Sequence, residues 1–119
     1  MLEYEDCYWK EEDKTMAVIL QVDFPTPGPF GEEMSRAYQT LAESINQEAG
    51  MIWKIWTENS DAQEAGGIYL FDSQDNAEKY LKMHTARLKN FGIKDIRGKI
   101  FQINLPLSAI NQSHFIVQL

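Results

Sequence analysis

A chain of 119 residues suits one domain with a single core. Hydrophobic residues make up 44% and charged residues 24%, which excludes disorder as the default state. With 11 Lys+Arg against 18 Asp+Glu, the formal net charge of -7 repels phosphate backbones and anionic lipid, so no nucleic acid and no membrane is expected as a partner.

Cys7 is the only cysteine, so no disulfide forms within the chain, as suits a reducing compartment. No apolar run approaches the roughly 20 residues of a membrane helix. Glu3, Glu5 and Asp6 stand where a signal peptide would carry positive charge. A cytoplasmic location is the expectation.

Residues 1–14 follow neither a period of 2 nor one of 3.6. They read as an N-terminal extension that docks through Tyr8 and Trp9 or frays as a tail. The domain is expected over residues 15–112. Met16 to Phe24 is β-branched and apolar and reads as the first strand, with Val18, Leu20, Val22 and Phe24 on one face. Pro25-Thr26-Pro27-Gly28-Pro29 is a stiff turn. Met34, Tyr38, Leu41, Ala42 and Ile45 then recur at helical spacing, with Glu32 and Glu33 in the first turn and Gly50 as a stop. One helix over about 31–48 is the expectation.

Met51 to Asn59 reads as the second strand and Ile68 to Phe71 as the third. The polar link Ser60-Asp61-Ala62-Gln63 favours a hairpin between them. A second helix starts near Asp72 or Ser73, carries Ala77, Tyr80, Leu81, His84, Leu88 and Phe91 as its apolar stripe, and closes at Gly92. Ile96 to Ile103 is the fourth strand. Asn104 to Leu119 reads as a turn plus a short extra strand at Phe115-Ile116-Val117, with residues 113–119 as a C-terminal tail.

This order is a ferredoxin-like βαββαβ fold of the α+β class, an antiparallel sheet with helices on one face. The strands are apolar on both faces. Trp53 and Trp56 are three apart and point to opposite sides, as do the neighbours Val18 and Ile19. The face away from the helices needs a cover, and a second copy of the chain, sheet against sheet, is the simplest one.

Several segments in one order carry a resemblance. They are Gly28-Pro29-Phe30-Gly31, Leu41 through Glu48, Trp53-Lys54 with Trp56-Thr57-Glu58, Glu64 through Phe71, His84 through Asn90, Pro106-Leu107-Ser108 and Ile110-Asn111-Gln112. Over roughly residues 16 to 112 the chain resembles the YdhR-type mono-oxygenase family. The resemblance implies a dimeric α+β barrel of ferredoxin-like subunits, hence a homodimer. It also implies oxidation of an aromatic substrate without metal or flavin, an activity attached to the family through relatives of the same fold.

His84 lies in the apolar stripe of helix two and should face a cavity between helix and sheet. There an imidazole serves as a general base or as a core histidine satisfied by one hydrogen bond. Arg87, one turn on, would hold a phenolate or oxyanion, or else stay solvated at the helix C-terminus. Trp53, Trp56 and Tyr69 are strand aromatics that would stack a flat substrate or fill the core. Asn46, ending helix one, would hydrogen-bond a substrate oxygen or simply finish the helix.

No dinucleotide fingerprint, P-loop or G-x-S-x-G elbow occurs, and His84 and His114 are too far apart in sequence for a short metal motif. No cofactor and no metal is expected. The leading reading, which rests on the resemblance, is a cofactor-independent mono-oxygenase that acts on a small phenol or hydroquinone with dioxygen. A non-catalytic small-ligand-binding dimer is the alternative. Haem binding or degradation is a third reading, weakened by Gln21 and Asp23 standing where haem-degrading relatives place an asparagine.

Overall fold

The computed structural model describes residues 16–111. The N-terminal extension, the C-terminal tail and the extra strand expected at 115–117 lie outside the described residues. The elements are β1 Val18–Pro25, α1 Gly31–Ala37, α2 Gln39–Ile45, β2 Met51–Asn59, β3 Glu64–Phe71, α3 Gln74–Asn90, β4 Arg97–Gln102 and α4 Leu105–Ile110. The four strands form one antiparallel sheet in the order β2-β3-β1-β4, with helices on one face. This is the expected ferredoxin-like α+β fold.

The alternation in β1 decides which face is the core. Val18, Leu20 and Val22 are buried and pair with Phe71, Tyr69 and Gly67 of β3, so these residues share the helix-facing side. Helix α3 lays Ala77, Tyr80, His84 and Leu88 on that side, at the spacing of one helical stripe. Each large side chain buried here contributes about 1.5–3 kcal/mol. Ser73 caps α3 by accepting from the Asn76 N–H at 3.2 Å, and Gly92 leaves the helix with φ +88.

Three expectations are corrected. The single helix over 31–48 is two short helices, broken at Tyr38, whose φ of -112 departs from helical geometry while its ring stacks on Trp56. Strand β3 begins at Glu64, four residues early. Glycines are weak strand formers, but Gly66 and Gly67 are paired on both sides, by β1 and by β2. A Cβ on Gly66 would stand 1.9 Å from the Val22 carbonyl oxygen, so the strands' close approach requires glycine there. Beyond β4 the chain forms α4, with Pro106 in its first turn and Asn104 accepting from the Leu107 N–H at 3.1 Å.

The opposite face of the sheet carries Ile19, Trp53, Ile55, Ile68, Leu70 and Phe101. Ile55 is 51% exposed and Phe101 46%. At the end of this face Arg97 binds Asp23 and, at 3.1 Å, Glu64, an exposed cluster that ties β4, β1 and β3 together.

Candidate active site

A cavity of about 550 Å³ opens between the sheet and the helices. Its size is that of a small-molecule site. β1 contributes Val22 and Phe24, β2 contributes Lys54 and Trp56, and β3 contributes Gly67 and Tyr69. Helix α3 adds His84 and Leu88, helices α1 and α2 add Met34 and Leu41, and the turn after β1 adds Pro27 and Pro29. The walls are mostly apolar, and the polar groups converge where α3 crosses β2 and β3.

His84 is 4% exposed and is the only buried polar residue among those described. Its Nδ1 lies 3.0 Å from the Arg87 Nη2. Burial first, and then the charges of Arg87 and Lys54, lower its pKa from 6.5 to about 3, so the imidazole is neutral. The same Nη2 donates to the Tyr80 hydroxyl at 3.3 Å, and the Tyr80 and Tyr69 hydroxyls are 3.2 Å apart. Tyr80 also stacks on His84, with centroids 5.1 Å apart and planes at 26°. Burial pushes both phenols up, so both stay protonated.

Lys54 enters the same space from β2. Its Nζ lies 3.4 Å from the Trp56 ring centroid and 4.7 Å from that of Tyr69. Burial first, and then the Arg87 charge, lower its pKa from 10.5 to about 7. A Cβ on Gly67 would stand 2.6 Å from the Lys54 Cε, so the absent side chain makes room for the lysine to fold across the strand.

The candidates named from sequence separate into two groups. Trp56, Tyr69 and His84 line the cavity together. Arg87 sits behind His84 and Tyr80 instead of at the cavity surface, bonded to both. Trp53 pairs with Leu70 on the opposite face of the sheet, so of the two tryptophans Trp56 is the one on the helix side. Asn46 is exposed at the end of α2, away from the cavity lining. Sequence reasoning missed Lys54. Its signal was present: it stands two residues before Trp56, on the same strand face, in an otherwise apolar stretch.

A family model described as "Putative mono-oxygenase ydhR" matches residues 19–114. The chain belongs to the ydhR mono-oxygenase family. The match spans every element that builds the cavity. Among solved structures, the chain is similar to a protein from Deinococcus radiodurans described as a putative antibiotic biosynthesis monooxygenase. The TM-score is 0.52 at 13% identity, covering 73% of this chain and 92% of that one. At that identity the likeness concerns the fold. No curated protein matches the chain. Among the described residues of this ydhR-family chain, no group of three or more His, Cys, Asp or Glu could hold a metal ion. No helix among them is long and apolar enough to cross a membrane.

Proposed function

We propose that this ydhR-family chain is a mono-oxygenase that oxidises a small hydroquinone-like aromatic with dioxygen, without metal or flavin, in the cavity between α3 and the sheet. The observation that carries this reading is the imidazole of His84, held in one orientation at the wall of an apolar cavity sized for a small molecule. Arg87 has no lone pair to offer, so it donates and the His84 Nδ1 accepts. The neutral ring then carries its proton on Nε2, the only imidazole donor left for a ligand. Sequence reasoning assigned His84 the role of base. Burial and two neighbouring cations oppose a proton there, so its role in this reading is donation to a substrate oxygen as negative charge develops. Arg87 is the positioning residue that fixes the tautomer.

The chemistry balances with a hydroquinone. Substrate and dioxygen give a hydroxyquinone and water, with both electrons for the second oxygen atom coming from the ring itself. Apolar walls keep water from the reacting anion. Trp56 borders the bound ring. One face of its indole is taken by the Lys54 ammonium and it also stacks on Tyr38, so the substrate meets the indole and the lysine together.

The working unit in this reading is a cytoplasmic homodimer, closed through the sheet face that carries Ile55 and Phe101. Oxygen uptake by the purified protein, measured with an electrode across a panel of phenols and hydroquinones, tests the activity. The expected result is stoichiometric uptake with a hydroquinone, insensitive to a chelator. No uptake with any phenol or hydroquinone that raises the melting temperature would leave a ligand-binding dimer in place of an enzyme.

A further inference from the structure

Lys54 is a half-buried cation with no anion. Among the described residues it makes no hydrogen bond and no ion pair, and its contacts are the faces of Trp56 and Tyr69. Arg87 on α3 is also cationic and points its Nη2 at His84 and Tyr80, while its buried Nε has no partner. His84 is neutral, and Tyr69 from β3 is a protonated phenol. Glu58 is the carboxylate on the same face of β2, four residues along, and it accepts from the Gly31 N–H at 2.7 Å. Glu48, in the turn after α2, acts on Tyr80. No carboxylate contributes to the environment of the lysine. A chain with a net charge of -7 thus keeps an uncompensated cationic centre inside its apolar cavity.

We propose that Lys54 takes the phenolic proton of the substrate and holds the resulting phenolate, so that the cavity selects phenols over neutral aromatics of the same shape. This deepens the reading above and rests on it for the substrate being a phenol. The amine lone pair forms the new N–H bond. The O–H bond breaks with its electron pair left on oxygen, and an ammonium–phenolate pair replaces two neutral groups. The aromatic ring then lies against the Trp56 side of the cavity, and Nε2–H of His84 is the second donor available to the oxygen. A lysine titrating near neutral pH is half deprotonated and ready to accept, which His84 is not. The ammonium so formed donates to the phenolate oxygen.

The probes are 4-nitrophenol, whose phenolate is coloured, and 4-nitroanisole, a neutral ligand of similar shape. They are titrated into the protein at a pH where free nitrophenol is mostly neutral. The expected result is a phenolate band that grows on binding, with the ionised fraction raised roughly tenfold or more, as for one opposite charge at contact distance. Nitroanisole should bind at least tenfold more weakly by tryptophan quenching. Lys54→Met keeps the length of the side chain and removes a half-buried charge, so it should melt no lower than the wild type while losing the band and the preference. Lys54→Gln serves the same end if the methionine variant does not fold. Wild-type protein that binds nitrophenol no better than nitroanisole, or a folded variant that keeps the phenolate band, would overturn the assignment. An intact, Lys54-dependent band with no oxygen uptake from any hydroquinone would instead remove mono-oxygenation and leave the phenolate site standing.

Discussion

The Arg87 Nη2 lies 3.0 Å from the His84 Nδ1, and the guanidinium can only be the donor. One contact therefore does two things. It decides which imidazole nitrogen carries the proton, and it places a cation where it opposes a second proton on the ring. Both effects make His84 a hydrogen-bond donor to the cavity.

His84→Ala should lower oxygen uptake per folded molecule by roughly 100–1,000-fold, the usual cost of losing one donor to a developing oxyanion. Arg87→Ala should cost less, roughly 10–100-fold, because it acts through His84. It should also raise the His84 pKa toward its ordinary value, which a histidine NMR titration reads directly. Unchanged His84 titration in folded Arg87→Ala would separate the two residues.

Stability should depend on pH through both cavity bases, His84 and Lys54. The unfolded chain binds a proton at His84 near pH 6.5 and the folded chain only near 3. Between these values the unfolded state holds more protons, so stability falls as pH drops through the window, by at most roughly 5 kcal/mol. Lys54 follows the same sign higher up: stability should rise between about pH 7 and 10.5 as the unfolded chain loses its proton. Melting temperatures across pH should show a shallower acid limb in His84→Gln and a flatter alkaline limb in Lys54→Met. Parallel profiles in wild type and variants would contradict the two shifts.

Gly67→Ala places a methyl group 2.6 Å from the Lys54 Cε, where the flexible end of the lysine has to move. The same methyl group comes within 3.2 Å of the Tyr69 ring, which has to give by a few tenths of an ångström. The expected outcome is a modest change in stability, within about 1 kcal/mol, with a larger loss of nitrophenol affinity. Retained affinity at retained stability would show that the lysine's placement over Trp56 does not govern binding.

Ile55→Asp or Phe101→Glu puts a charge on the exposed apolar side of the sheet. If that side is the interface, two wild-type chains bury on the order of 1,600 Å² together, and either substitution should yield monomers by light scattering. A wild-type monomer at micromolar concentration would end the dimer reading.

Much of the architecture was legible locally. The 2-residue alternation of Val18, Leu20 and Val22 and the stripe of Ala77, Tyr80, His84 and Leu88 are set by backbone geometry, and both bury as the pattern requires. The same stripe put His84 at the cavity. The opposition of Trp53 and Trp56 followed from parity alone, since residues three apart on a strand face opposite ways. Tertiary structure decided what parity leaves open: Trp56 faces the helices because β2 pairs with β3 in the register that sets it opposite Gly67. It also decided the break at Tyr38, since a helix period cannot report a ring packed on a distant strand. Lys54 was placed on the Trp56 side by the same parity, but its chemistry was not legible, for a related reason. A lysine in a strand is ordinarily solvated, and it is the space left by Gly67 on the neighbouring strand, with burial and the Arg87 charge, that makes this one a base near neutral pH. Charge and spacing along a chain state which groups exist, whereas their pKa values depend on which groups the fold brings within a few ångströms and how much water it removes.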